Sequence, residues 1–183
     1  MAKPRCSPAR RALARKLTRA LSDPAGVAVL DVETTGLSQH SHRPTLVGVV
    51  LDGEARCWLA GDPPSRLAEC LSGARTLVTF NGTRFDVGFL RKIDPDVLLP
   101  ADHIDLRYAA KQVGLTGGQK AIEVALGLGR GDLHGLDGSA AVSLWHQYAR
   151  GDRSALRRLI EYNRADLDGM RAILDHVVAE LDI

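Results

Sequence analysis

Aromatic side chains are scarce in this chain of 183 residues, at 4% of the total. A protein that coats long single strands by stacking base after base needs more, so an extended stacking platform is excluded. Cysteines number three, Cys6, Cys57 and Cys70. Their odd count and unrelated spacing exclude a disulfide framework and a zinc ligand set, and they fit a reducing, cytoplasmic setting. No apolar run approaches the roughly 20 residues of a membrane helix, so no membrane partner is expected. The N-terminus is basic but has no apolar stretch of the kind a secretory signal carries.

Acid is also missing from residues 1–22. Lys3, Arg5, Arg10, Arg11, Arg15, Lys16 and Arg19 give that segment +7, and the remaining 17 basic and 22 acidic side chains leave residues 23–183 at −5. A basic arm on an acidic body suits a polyanionic partner, although a solvated helix face has the same composition. Residues 9–22 read as an amphipathic helix, with Leu13, Leu17 and Leu21 at i, i+4 and i+8. The helix could track a bound strand or dock on the body through those leucines. The expected division is a basic arm or helix over 1–22 and one domain over 23–183, long enough for a sizeable core.

What the chain does have is a run of β-branched and aliphatic residues, Val27 to Leu37, that reads as a strand buried on both faces. Asp31 and Glu33 sit two residues apart near its end. A strand sends residues i and i+2 to the same face, about 6.5 Å apart. Two carboxylates that close repel unless a cation lies between them, and a divalent ion is the usual answer. Taken alone, the triplet also fits a turn-capping Asp31 and a solvated Glu33.

Onward, Thr45–Leu51 and Glu54–Leu59 flank Asp52-Gly53, a hairpin signal. Pro64–Leu71 reads as a helix, Thr76–Phe80 as a buried strand, and Phe85–Ile93 as a helix. His103-Ile104 reads as a strand end, with Asp105 capping a helix that runs to Val113. Further helices are expected over Lys120–Leu126, Ser139–Arg150, and from Arg153 to the C-terminus. A mixed sheet covered by helices, an α/β fold, follows from this order.

Two more carboxylates extend the pattern. Asp86 stands where the chain leaves the second buried strand and enters a helix. Asp166 follows Tyr162 by four residues on the C-terminal helix, about 400° of rotation and about 6 Å of rise, so both leave the same face. Singly, Asp86 also reads as a helix-start residue and Asp166 as a surface ion-pair partner.

In order and context, D-x-E-T-T-G at 31–36, N-x-x-x-F-D at 81–86 and Y-x-x-x-D at 162–166 resemble the three exonuclease motifs of the DEDD, DnaQ-like superfamily. Tyr162 points to its tyrosine branch. His103-Ile104-Asp105-Leu106, Gly117-Gly118-x-Lys120-x-Ile122-Glu123, Gly135-Leu136-Asp137-Gly138, Leu144-Trp145 and Glu161-Tyr162-Asn163-Arg164-x-Asp166 resemble the YprB-like ribonuclease H-like family over about residues 25–180. That resemblance implies a ribonuclease H-like mixed sheet of about five strands, the first three a meander, in order 3-2-1-4-5 and flanked by helices.

It further implies a 3′-to-5′ exonuclease that uses two divalent cations, Mg²⁺ or Mn²⁺, on nucleic acid with a free 3′ end, single-stranded or frayed. By resemblance, Asp31 would bridge both ions, Glu33 and Asp166 would complete the first, and Asp86 would serve the second. Hard cations want such carboxylate oxygens, and two ions about 4 Å apart suit phosphodiester hydrolysis. Tyr162, with an ordinary phenol pKa near 10, would orient the attacking water rather than deprotonate it. Thr34, Thr35, Leu37, Asn81 and Phe85 would meet the terminal nucleotide. Lys120, at a Gly-Gly loop, reads either as a phosphate contact or as a lone exposed lysine with no specific role. Phe85 also fits a buried core position. His40 and His42 lack cysteine partners and read as solvated. Two rivals remain: an endonuclease of the same fold, and a nucleic-acid-binding module that does not cleave.

Overall fold

A computed structural model gives the structure of the protein, and it describes residues 7–129 and 138–183. The Gly135-Leu136-Asp137 part of the resemblance lies outside the described residues. In chain order the elements are α1 (Pro8–Ser22), β1 (Val27–Thr34), β2 (Pro44–Leu51), β3 (Glu54–Leu59), α2 (Pro64–Leu71), β4 (Thr76–Thr79) and α3 (Asp86–Ile93). They continue with β5 (Asp102–Asp105), α4 (Leu106–Lys111), α5 (Gln119–Ala125), α6 (Gly138–Ala149) and α7 (Arg153–Glu180).

The five strands form one mixed sheet in the order β3-β2-β1-β4-β5. β1 is central, antiparallel to β2 and parallel to β4, and β4 is in turn parallel to β5. Asp52, in the left-handed region at φ 52°, and Gly53 make the tight β2–β3 connection that the Asp-Gly pair predicts. The mixed sheet is the one expected from the order of the elements, and its strand order is the one the family resemblance implies.

β1 outruns β4. The parallel pairing covers only Val27, Val29 and the residue between them, whereas β2 stays paired to β1 as far as Thr34. The C-terminal half of β1 therefore has one edge free of strand partners, at the place where the chain order reverses across the sheet. Open α/β sheets bind ligands at such a point, beyond the carboxyl ends of the strands.

Alternation along β1 divides the core. Val29 packs with Val78, Ile104, Ile122, Met170, Ile173 and Val177 on the face covered by α1, α4, α5 and α7. Leu30 and Val32 pack with Val47, Leu67, Leu77, Phe89 and Leu90 on the face of α2 and α3. Asp31 and Glu33 share the parity of Val29 and so point toward α7. Leu46, Trp145, Leu159 and Tyr162 build a third cluster where α6 crosses α7. At 28 residues, α7 is about 42 Å long, enough to serve both the core and the site. Its N-cap Asp152 accepts from the Ser154 and Ala155 amides at 2.8 and 3.4 Å.

α1 lies against the body of the domain. Leu17 and Ala20 are buried, and Leu13 packs against the same core. Leu21, expected on that stripe, is 48% exposed, because the helix turns its 17/20 edge rather than its 13/17/21 edge to the core. Arg19 makes a two-pronged ion pair with Asp102, both bonds at 2.6 Å, and Lys16 Nζ donates to the His103 carbonyl at 2.8 Å. Two of the charges of the basic segment thus point back into the protein. Among the described residues no helix is long and apolar enough to cross a membrane.

Candidate active site

Three carboxylates meet where β1 passes under α7. Asp31, Glu33 and Asp166 each offer an oxygen, and those oxygens all lie within 4.8 Å of one another. The strand period brings the first two together, and α7 carries the third across the sheet face. Glu33 and Asp166 are buried and Asp31 is partly buried. The carboxylates face a cavity of about 520 Å³ that is also lined by Thr34, Leu37, Phe85 and Tyr162. Tyr162 and Asp166 enter the same cavity, as their four-residue spacing requires.

Asp86 is set apart from this trio. It starts α3 and is buried, and its Oδ1 accepts from the Val32 amide at 3.0 Å. Val32 lies in the part of β1 that β4 no longer reaches, so Asp86 satisfies a backbone donor left over by the short parallel pairing. Its charge still bears on Asp31 and Glu33.

Burial and mutual repulsion hold protons on these groups. Glu33 is pushed up to about 8, first by burial and then by the Asp166 charge, against an Asn163 hydrogen bond and the Lys120 charge. Asp31 is raised well above the usual carboxylate range by burial and then by Glu33, Asp166 and Asp86. Asp86 is raised to about 7 by burial, while two backbone hydrogen bonds hold it down. A buried carboxylate group this crowded stays partly protonated until a cation relieves it. The donor set, oxygen only and held on a strand and a helix, fits a hard divalent ion.

Among the described residues, Asn163 supplies the neutral support. Its side chain is buried, and Nδ2 donates to Asp31 Oδ2 at 2.8 Å and to Glu33 Oε1 at 3.5 Å. Gly48, paired with Asp31 across β1–β2, makes this possible: a Cβ there would fall 1.8 Å from Asn163 Oδ1. In the sequence Asn163 is visible only as a neighbour of Tyr162, and nothing in its spacing marks it as a donor to the strand. Gln119 on α5 braces the other side, with Nε2 donating to the Asp166 carbonyl at 2.7 Å and to Glu123 Oε1 at 2.9 Å.

The remaining expected residues divide. The Lys120 ammonium contacts the Tyr162 hydroxyl and lies 4.4 Å from its ring centroid. Leu37 is 85% exposed at the cavity rim. Phe85 lines the cavity and tilts against Phe89 with centroids 4.9 Å apart, so it is both wall and partial core. Thr34 lines the cavity, but its hydroxyl donates to the Gly36 carbonyl at 2.7 Å. Thr35 turns away, accepting from the Arg43 amide at 3.1 Å. Asn81 is outside the cavity lining: at φ 64° it shapes the turn, with its amide donating to Asp105 Oδ1 at 2.8 Å. Asp105 also accepts from the Thr83 and Arg107 amides, at 3.1 and 3.2 Å, so it is the helix cap that the sequence suggests and a brace for the Asp86 loop.

With the sheet order and the carboxylate site in place, the comparison with known proteins is direct. The family RNase_H_2, described as RNase_H superfamily, matches residues 28–178. The chain belongs to the RNase H superfamily. Solved structures similar to this RNase H domain include one described as the apo form of the nuclease, at TM-score 0.61 and 21% identity, covering 92% of this chain and 77% of that one. The Nibbler EXO domain of Aedes aegypti superposes at TM-score 0.60 with 12% identity over 100% of this chain and 95% of its own. Brucella melitensis NrnC does so at TM-score 0.54 with 20% identity, covering 85% and 74%. At these identities the likeness is one of fold. No curated protein sequence matches the chain.

Proposed function

We propose that this RNase H domain is a metal-dependent 3′-to-5′ exonuclease of the DEDD tyrosine branch, nearest to the YprB-like family. The observation that carries the reading is one cavity holding the Asp31, Glu33 and Asp166 oxygens within 4.8 Å of one another beside Tyr162. Asp31, Glu33 and Asp166, with Asp86 behind them, would hold two Mg²⁺ or Mn²⁺ ions. Bound there, such ions would activate water, neutralise the phosphate and stabilise the leaving oxygen.

The chain's own residues do the positioning. Asn163 fixes the Asp31 and Glu33 carboxylates without cancelling their charge. Tyr162 lines the cavity with its hydroxyl in contact with Lys120, and it would orient the attacking water. An unperturbed phenol, with a pKa of about 10, keeps its proton at neutral pH, so orientation is the role we assign to Tyr162. Leu37 and Phe85 supply apolar walls for a terminal nucleotide. Acting on an end rather than on the middle of a strand agrees with the few aromatics available for stacking.

The test is incubation with end-labelled single- and double-stranded DNA and RNA in Mg²⁺ or Mn²⁺. Stepwise shortening from the 3′ end supports the proposal. Discrete internal cuts would make the protein an endonuclease, and binding without any cleavage would make it a recognition module.

A further inference from the structure

Behind the loop that leads to Asp86 is a second pocket, of about 290 Å³, lined by Arg84, Arg107, Tyr108, Lys111, Thr116 and Gly117. Among the described residues no acidic side chain lines it, and none of the three cations forms an ion pair. Arg107 and Lys111 stand at i and i+4 on α4 and so leave the same face. Like charges at that spacing weaken a helix, and Arg84 adds a third positive charge from another segment. Arg107 Nη1 donates to Asn81 Oδ1 at 3.0 Å, which fixes the guanidinium at the turn without neutralising it. Asp105, the acid nearest in the chain, spends its carboxylate on the Asn81, Thr83 and Arg107 amides rather than on these side chains.

Tyr108 is 45% exposed between those cations, in a chain where aromatic side chains are scarce. Cations that meet phosphates beside an aromatic face that meets a base are the parts of a single-strand binding groove. The pocket also adjoins the catalytic cavity through two continuous segments. Arg84 lines the pocket and the next residue, Phe85, lines the cavity. Gly117 lines the pocket, and three residues on, at most about 11 Å along the chain, Lys120 contacts Tyr162.

We infer that this pocket is a second nucleotide subsite, which holds the phosphate and base of a nucleotide upstream of the one in the catalytic cavity. The inference rests on the nuclease reading for the direction of the strand, not for the pocket's chemistry. A strand long enough to fill both sites gains affinity over a mononucleotide.

The experiment measures anisotropy of a labelled single-stranded oligonucleotide and of a labelled mononucleotide across a salt series. It uses the full chain and the variants Lys111→Gln, Arg84→Gln and Tyr108→Ala, each with a melting temperature matching the wild type. Each lost cation should flatten the slope of log affinity against log salt by about 0.7 for the oligonucleotide. Tyr108→Ala should weaken it about five- to hundredfold at an unchanged slope. In all three the preference for oligonucleotide over mononucleotide should shrink. Variants that keep the wild-type slope and preference overturn the subsite, even if the enzyme degrades strands from the 3′ end. If the slopes fall as stated but no strand is cleaved with Mn²⁺, the subsite stands and the nuclease reading fails.

Discussion

Asn163 Nδ2 donates to Asp31 Oδ2 at 2.8 Å, a bond between residues 132 positions apart that ties the C-terminal helix to the central strand. An amide is a suitable partner here. A lysine in its place would hold the carboxylate equally well but would compete with a metal for its charge. Asn163→Ala leaves the buried Glu33 and the partly buried Asp31 without this donor, which costs about 1–3 kcal/mol. Such outer supports typically contribute 10- to 100-fold to metal affinity. Calorimetric titration with Mn²⁺ should therefore show about that loss in Asn163→Ala, and in Gly48→Ala, whose Cβ would displace the amide. Unchanged Mn²⁺ affinity in both would remove Asn163 from the site.

Metal-free protein should lose stability as pH rises. Glu33, raised from 4.5 to about 8, and Asp86, raised from 3.8 to about 7, keep protons in the folded state that the unfolded chain has released. The folded state binds more protons in this range, so stability is present below about pH 4 and is lost progressively up to about pH 8. His103, lowered from 6.5 by burial, acts in the opposite sense but only below that value. Thermal melting in EDTA should thus fall between about pH 7 and pH 8, with the slope reduced in Glu33→Gln. Millimolar Mn²⁺ should raise the melting temperature most at the alkaline end, through a stabilisation of about 2.7 kcal/mol at a hundredfold excess over Kd. In Asp31→Asn the Mn²⁺ effect should vanish.

Removing a carboxylate and removing the phenol should differ in kind. Asp31→Ala or Asp166→Ala should abolish cleavage while strand binding, read by anisotropy, persists. Tyr162→Phe keeps the ring that packs with Leu46, Trp145 and Leu159, so folding should be intact. Its kcat should drop by about 10²-fold, the cost of losing the group that orients the attacking water. Wild-type turnover in Tyr162→Phe would assign the residue to the core.

For α1, the readout is stability. Leu17 is fully buried among α7 and sheet residues, so Leu17→Ala should cost about 2–5 kcal/mol in urea unfolding. Arg19→Ala should change little, because the Arg19–Asp102 pair is largely solvent-exposed. A helix that served only to track a strand would lose no stability in Leu17→Ala.

Much of the fold and part of the site are legible in the sequence, wherever local periodicity decides. The i, i+2 spacing of Asp31 and Glu33 on a strand fixes their shared face, as i, i+4 does for Tyr162 and Asp166 on a helix. Asp52-Gly53 specifies its turn, and Asp105 its cap, through backbone geometry within a few residues. Tertiary structure alone decides how those faces meet. The register of β1 against β2 puts Gly48 opposite Asp31 and opens room for Asn163. The early end of β4 leaves the Val32 amide for Asp86 and so draws that carboxylate away from the other three. The rotation of α1 buries Leu17 and exposes Leu21, and the packing of α4 beside the Asp86 loop gathers Arg84, Arg107 and Lys111. These depend on contacts between residues tens of positions apart, and no repeat along the chain encodes the angle at which one element lands on another.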